Sequence, residues 1–189
     1  QVNLMLKELC LLNGTSGDEG AVREFIISQI KDYCDYKVDA LGSIIAFKKG
    51  KNKPSKNVMI CAHMDEVGFI ITDITDDGYL KFAPVGGIDA RIVADRKIKI
   101  NDIYGVVGLK PIHLLSGEEK DKAVSFKNLY IDIGAKDKKD AEKYVSLGDY
   151  AYFVSDYYEF GNGFIKAKAL DDRIGCTLMI ELIKSELKY

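Results

Sequence analysis

The sequence lacks the features that would place the chain in a membrane or on a nucleic acid. No apolar run in its 189 residues approaches the roughly 18 to 20 residues that a membrane helix needs. The chain does not open with a basic segment followed by an apolar one, as a secretory signal does. The formal net charge is -2, with Lys, Asp and Glu interleaved, which argues against a polyanionic partner. These absences predict a cytoplasmic globular protein with no membrane or nucleic-acid partner.

The chain also lacks closely spaced cysteines. Cys10, Cys34, Cys61 and Cys176 lie far apart and form no CxxC pair. Structural zinc sites built from cysteine use such pairs, and small secreted scaffolds use denser cysteine patterns. The sequence therefore predicts reduced core thiols rather than disulfides or a cysteine zinc cluster.

Apolar periodicity predicts helices and strands in the first third of the chain. Residues 2–12 have helical spacing, and a second helix follows for which Ser16 and Glu19 have the spacing of a capping box. Two short strands come next, and the mostly apolar run at Asn57–His63 then predicts a central strand buried on both faces.

The middle of the chain has a different pattern. From about residue 68 to 165, short β-rich runs are separated by glycine turns, which predicts a small barrel or sandwich with one helix at 136–147. Helical spacing returns from about residue 172 to 188. We therefore expect an α/β domain built from residues 1–67 and 166–189, interrupted by an inserted β-rich domain at 68–165.

The stretch "AHMDE" is the first candidate for chemistry. Residues two apart on a strand face the same side, so His63 and Asp65 are expected to project together at the end of the predicted strand. An imidazole can bind a divalent metal while a neighbouring carboxylate orients it. The alternative is a hydrogen-bonded histidine at a strand end followed by solvated acids.

The stretch "KALDDRIG" is the second candidate. Asp171, Asp172 and Arg173 stand where a strand gives way to a helix. An aspartate at this place is often a helix cap, which explains one acid and leaves the other without a role. A carboxylate here could instead bridge two metal ions, because each of its oxygens can bind one ion.

Four stretches spread over the chain together resemble one known family. They are "NGTSGDEGAVREFI", "AHMDEVGFIITDITDDGYLKFAPVGGI", "KNLYIDIGA" and "KALDDRIGC", and they resemble, in order, the tetrahedral or glutamyl aminopeptidases, which are dinuclear metallopeptidases. The resemblance implies an incomplete phosphorylase/hydrolase-like zinc-peptidase domain with an inserted small β-barrel-like domain for dimerisation and assembly. It also implies a peptide substrate and a homo-oligomer of dimers.

The resemblance assigns roles to three residues. His63 resembles a terminal ligand of one metal ion, Asp65 the catalytic acid that orients His63, and Asp171 the carboxylate that bridges both ions. Two divalent metal ions are implied; imidazole with carboxylates suits zinc, and cobalt or manganese would fit similar ligands. A cis peptide bond is implied at Asp171–Asp172. Asp172 and Arg173 match the motif without an assigned role.

Several acids and a histidine stay outside the predicted site. Glu66 is assigned to structure or solvent, Gly117–Asp121 ("GEEKD") to an exposed loop, and His113 to the inserted domain. The family's adjacent glutamates, further acid and late histidine have no counterpart in the sequence. We therefore expect a fragment that is inactive alone. The alternatives are an oligomerisation or binding module without catalysis and a glycoside hydrolase with a carboxylate pair.

Overall fold

The chain forms two separate structural units. The computed structural model describes residues 2–109 and 124–188. One unit, called here the discontinuous unit, comprises Gln1–Glu66 and Ser155–Tyr189, and the other, the barrel unit, comprises Val67–Val154. Residues 113 and 117–121, considered above, lie outside the described residues.

Helices and strands follow the order expected for an α/β chain with an inserted β domain. In chain order they are α1 (Val2–Leu11), α2 (Gly20–Ile30), β1 (Asp35–Val38), β2 (Ile44–Phe47), β3 (Gly68–Ile74), β4 (Leu80–Val85), β5 (Lys97–Ile100), β6 (Ile103–Leu109), β7 (Leu129–Asp132), α3 (Lys138–Ala141), β8 (Tyr150–Phe153), β9 (Tyr158–Phe160), β10 (Phe164–Lys166) and α4 (Leu170–Lys184). No helix among the described residues has both the length and the apolar character to cross a bilayer.

The core of the discontinuous unit lies between three helices. The apolar faces of α1, α2 and α4 bury Leu9, Val22, Ile30 and Ile180 against one another, as the helical spacing of these residues predicts. Strands β1 and β2 form an antiparallel hairpin, and β9 and β10 form another.

The predicted capping box at the start of α2 is wrong. Residue Glu19 occupies the N-cap position, and no side chain caps the helix there. The Glu19 carboxylate instead accepts a hydrogen bond from the backbone N–H of Gly17 at 2.8 Å. The Ser16 hydroxyl instead donates a hydrogen bond to Asp65, which is far away in sequence, so it does not cap α2.

The predicted buried strand at Asn57–His63 is also wrong. No strand in the described part of the chain pairs with this segment, and Val58 and Met59 are 83% and 87% exposed. A central strand is buried only when neighbouring strands and helices cover it. The segment instead lines an open groove of about 1130 Å³, whose other lining residues include Ile44 and Ile180.

The barrel unit is a closed six-stranded barrel. Its strand order is β3-β4-β7-β6-β5-β8, and β8 pairs back with β3. Alternate strand residues point inward and form one apolar core that includes Phe69, Leu80, Ile98, Val107 and Ile131, as period-two alternation requires. The sequence predicted a small barrel or a sandwich, and the closed strand order shows that the barrel is correct. Closure also removes the exposed edges that an open sheet would present.

The boundaries of the barrel unit differ in one place from the sequence expectation. The expected inserted domain extends to residue 165, whereas the structural unit ends at Val154. Strands β9 and β10 pair only with each other among the described strands, so they add nothing to the barrel. The helix expected at 136–147 is the single turn α3, which Asp137 caps through the backbone N–H of Asp140.

Candidate metal centre

A histidine held between two carboxylates is the main feature of the discontinuous unit. His63 Nδ1 lies 3.0 Å from Asp65 Oδ1, and His63 Nε2 lies 3.0 Å from Asp171 Oδ1. Asp65 is two residues away and Asp171 is 108 residues away. The fold thus brings the two candidate stretches of the sequence to one place.

The start of α4 presents Asp171 to solvent. Ala169 has a left-handed backbone conformation, and Asp171 and Asp172 have non-helical dihedral angles, so regular helix begins at Arg173. The Asp171 side chain is 95% exposed, which leaves its second oxygen open. The peptide bond between Asp171 and Asp172 is cis, as the resemblance implied.

The two adjacent aspartates do different things. Asp171 faces His63, whereas Asp172 Oδ1 accepts a hydrogen bond of 3.0 Å from the backbone N–H of Gly175. A carboxylate that accepts a free N–H in the first turn of a helix is a cap. A side chain at residue 175 would meet the Asp172 carboxylate at 2.5 Å, so Gly175 leaves room for that cap.

The carboxylates shift the pKa of the histidine. Burial favours neutral imidazole, but the hydrogen bonds to Asp171 and Asp65 and their negative charges outweigh it and raise the pKa of His63. Burial likewise acts to raise the pKa of Asp65, but the hydrogen bonds from Ser16 and His63 outweigh it and lower that pKa. Asp65 is therefore ionised at neutral pH and is placed to accept a hydrogen bond from Nδ1 of the ring.

A buried cluster of charged side chains lies directly behind the site. Glu66 Oε1 accepts hydrogen bonds from Lys168 Nζ at 2.7 Å and from the backbone N–H of Gly14 at 3.2 Å. Burial lowers the pKa of Lys168, and the charge and hydrogen bond of Glu66 oppose that shift. The cluster contains both signs of charge, as buried ionised groups require.

Arg173 extends this cluster under the backbone of the site. Its side chain is fully buried, and its Nε donates to the carbonyl of Met64 at 2.6 Å, the residue between His63 and Asp65. Its Nη1 donates to the carbonyl of Leu9 at the end of α1. The motif residue without an assigned role therefore holds the backbone that carries the histidine.

The described residues include two neighbouring side chains of types that bind metal ions. The Nε2 atom of His63 and the carboxylate of Asp171 face each other, and an imidazole whose Nδ1 is held by a carboxylate is a common metal ligand. Within residues 2–109 and 124–188, no group of three or more His, Cys, Asp or Glu side chains is arranged to hold a metal ion. A catalytic zinc site uses three protein ligands, so this pair fits such a site as two of its ligands.

Sequence reasoning found three members of the site and missed others. It singled out His63, Asp65 and Asp171, which the structure brings together. It assigned Ser16 to a helix cap and gave Lys168 no role. Their contacts with Asp65 and Glu66 span 49 and 102 residues, a distance over which local spacing carries no signal.

The chain matches one family of known proteins. Residues 42–188 match the M42 glutamyl aminopeptidases. A provisionally named aminopeptidase of Acetivibrio thermocellus is 42% identical over 185 residues, which are 97% of this chain and 53% of that protein. The lysyl aminopeptidase of Pyrococcus furiosus is 32% identical over 186 residues, 94% of this chain and 53% of that protein. The chain spans about half the length of these curated relatives.

Solved structures share the fold. A TET aminopeptidase from a marine sediment Thaumarchaeota archaeon has a TM-score of 0.89 and 32% identity, covering 96% of this chain and 52% of that one. The TET1 peptidase of Pyrococcus horikoshii, described as assembling into a tetrahedron or a large octahedral shell, has a TM-score of 0.85 and 38% identity, covering 97% and 56%. A protein named endoglucanase from Thermotoga maritima has a TM-score of 0.83 and 43% identity, covering 97% and 55%.

Proposed function

The chain belongs to the M42 glutamyl aminopeptidase family, and from this premise we propose that the whole protein removes N-terminal residues from peptides with divalent metal ions. The observation that carries the proposal is His63, whose two ring nitrogens each lie 3.0 Å from a carboxylate. One carboxylate contacts Nδ1 and orients the ring, and the other contacts Nε2, the nitrogen proposed to bind metal. The aminopeptidase names of the curated relatives support the same reaction class.

Each residue of the site has a proposed role. His63 Nε2 and the Asp171 carboxylate would hold metal, with Asp171 bridging two ions through its two oxygens. Asp65 fixes the ring orientation and keeps the Nδ1 proton in place. A bound divalent ion supplies Lewis acidity, which lowers the pKa of bound water and polarises a peptide carbonyl. Imidazole and carboxylate ligands suit zinc, and cobalt or manganese would fit the same ligands.

The remaining catalytic groups are proposed to come from outside the 189 residues. Two ligands are fewer than the three that a catalytic zinc site uses, and a general base is needed to move the proton of the attacking water. The relatives are about twice as long as the matched region. We expect the 189-residue chain alone to bind metal weakly and not to turn over peptide.

The barrel unit is proposed to serve assembly. The P. horikoshii relative is described as forming closed shells, and a closed barrel with its own core offers a rigid surface for contacts between subunits. The discontinuous unit would then be the peptidase domain, of the phosphorylase/hydrolase-like kind. All four cysteines are free thiols, which supports a reducing, cytoplasmic location.

Glycoside hydrolysis is the weaker alternative. It is favoured by the endoglucanase name of the T. maritima protein. A glycosidase needs two carboxyl groups flanking a scissile sugar bond, with room for the sugar between them. Here an imidazole ring occupies the space between Asp65 and Asp171, so metal chemistry fits the site better.

Peptidase assays of the protein from its complete reading frame test the proposal. We expect release of the N-terminal residue from amino-acyl p-nitroanilides in the presence of Zn²⁺ or Co²⁺, and loss of this activity with a chelator. An acetyl-blocked substrate should not react, because an aminopeptidase acts at a free amine. Activity on cellulose derivatives, or hydrolysis that survives chelation, would overturn the proposal.

A further inference from the structure

Both oxygens of the Asp65 carboxylate have a specific partner. Oδ1 bonds to His63 Nδ1 at 3.0 Å, and Oδ2 accepts a hydrogen bond from the hydroxyl of Ser16. A carboxylate with one fixed oxygen can still rotate about its last torsion, which is broad for aspartate. A hydrogen bond to the second oxygen removes that rotation. The Ser16 hydroxyl therefore determines the orientation of the Asp65 carboxylate relative to the His63 ring.

Backbone pairing brings Ser16 to this position. Thr15 and Glu66 form a parallel β-bridge, and the backbone N–H of Glu66 donates to the carbonyl of Gly14 at 2.8 Å. The Glu66 side chain returns to the same loop and accepts from the N–H of Gly14. Ser16 therefore lies one residue beyond the bridge on one strand, and Asp65 lies one residue before it on the other.

The buried charges behind the bridge keep both segments in register. Lys168 Nζ donates to Asn13 Oδ1 at 2.8 Å and to Glu66 Oε1 at 2.7 Å, so one ammonium group holds both sides of the bridge. Arg173 holds the carbonyl of Met64. The backbone contacts on both sides keep the hydroxyl of Ser16 within hydrogen-bonding reach of Asp65.

The neighbouring hydroxyl shows that this placement is specific. Thr15 is fully buried, and its Oγ1 has no hydrogen-bond partner among the described residues. Of two successive hydroxyl side chains on the loop, only that of Ser16 reaches the candidate site. Thr15 thus offers a matched control one residue away.

We infer that Ser16 is a positioning residue for metal binding, acting through Asp65 on the orientation of His63. The inference rests on the proposed function, in which His63 holds a metal ion. A rigid Asp65 holds the Nε2 atom of His63 in one direction, toward Asp171. Loss of the Ser16 hydroxyl frees one oxygen of Asp65, and the ring then samples orientations in which Nε2 does not meet the ion.

Cobalt titration of the protein expressed from its complete reading frame tests the inference. Co²⁺ alone is the probe, and binding is followed by its visible absorption for the wild type and the variants Ser16→Ala, Ser16→Thr and Thr15→Val. Groups that orient a ligand from outside its coordination shell typically change metal affinity by about 10- to 100-fold when removed. We expect Ser16→Ala to weaken binding by at least about 10-fold, Ser16→Thr to restore it, and Thr15→Val to leave it unchanged.

The outcomes separate this inference from the proposed function. If the wild type shows no cobalt absorption and His63→Ala changes nothing, the metal assignment is wrong and the inference falls with it. If the wild type binds cobalt through His63 and Ser16→Ala binds equally well, the inference alone is overturned. Equal weakening by Ser16→Ala and Ser16→Thr would also overturn it, because the hydroxyl would then not be the group that matters. Thermal unfolding by circular dichroism checks that each variant is folded.

Discussion

At the scale of single residues, the candidate site depends on which group each carboxylate contacts. Asp171 and Asp172 are adjacent and chemically identical, yet one faces His63 and the other caps α4. The sequence carries both possibilities, since a cap and a ligand use the same side chain at the same helix start. Only the backbone turn at residues 169–172 separates them.

Substitution of each aspartate should separate their roles. Asp172→Ala removes the acceptor of the Gly175 N–H and should lower the free energy of unfolding by about 1 kcal/mol, with cobalt affinity unchanged. Asp171→Asn should abolish cobalt binding with little change in stability, because its side chain is 95% exposed. Urea denaturation and cobalt titration measure the two effects. If Asp172→Ala and Asp171→Asn changed stability and cobalt affinity in the same way, the division of roles would be contradicted.

Arg173 should be among the most sensitive positions for stability. Its buried side chain donates to the carbonyls of Met64 and Leu9, and one of its terminal nitrogens lies 3.9 Å from Glu66. Removing one member of a buried charge network typically costs about 3 to 5 kcal/mol. We therefore expect Arg173→Met to destabilise the discontinuous unit by about that amount.

An exposed ion pair in the same unit provides the control. The pair formed by Lys51 and Glu186 lies in solvent, so Lys51→Met should change the free energy of unfolding by less than about 1 kcal/mol. Arg173→Lys should give an intermediate loss, because an ammonium cannot reproduce the planar set of guanidinium donors. Equal losses for Arg173→Met and Lys51→Met in urea denaturation would contradict this account.

At the scale of elements, the sequence predicted the helices and strands that a local pattern of apolar residues and turns defines. The helical spacing of residues 2–12 and 172–188 predicted α1 and α4, and short β-rich runs separated by glycine turns predicted the barrel strands. The segment Asn57–His63 could not be predicted in this way. Its apolar residues fit a buried strand, but burial depends on partner strands, and the described residues provide none.

The exposed apolar segment should make the chain self-associate. Val58, Met59 and Ile60 are at least half exposed and belong to no helix or strand of the described chain. An exposed apolar stretch that no strand pairs can act as an edge for pairing with another chain. A lysine on such an edge opposes pairing, so Met59→Lys should lower the fraction of associated protein in sedimentation velocity at equal concentration.

A helix residue of similar exposure is the matched control for this segment. Leu178 on α4 is 60% exposed, but its backbone is already bonded within the helix. Leu178→Lys should therefore change self-association less than Met59→Lys. The account of the segment is contradicted if the wild type is monomeric at high concentration, or if both lysine variants act equally.

At the scale of the whole molecule, the chain consists of two units with separate cores. Among the described residues, the buried apolar residues of the barrel come from Val67–Val154, and those of the helical core come from the other unit. Composition and glycine spacing predicted the inserted β domain. Its end could not be placed, because the sequences of β9 and β10 resemble those of barrel strands, whereas among the described strands these two pair only with each other.

The barrel should fold when residues 67–154 are expressed alone. The barrel is closed, so excision exposes no strand edge, and its core cluster stays intact. Domains with their own core can fold independently. We expect a cooperative thermal transition and dispersed amide resonances for the excised unit. A disordered spectrum would show that the barrel depends on the rest of the chain.

The central claim is that His63 and Asp171 bind a divalent metal ion, and anomalous diffraction tests it most directly. Crystals of the 189-residue chain grown with Zn²⁺ would be measured on both sides of the zinc absorption edge. The account predicts an anomalous peak about 2.0 to 2.1 Å from His63 Nε2, at zinc–nitrogen bonding distance, with an Asp171 oxygen also bound and His63 Nδ1 still on Asp65. A peak only at the cysteines, or density that leaves the His63–Asp171 hydrogen bond intact at saturating zinc, would contradict it.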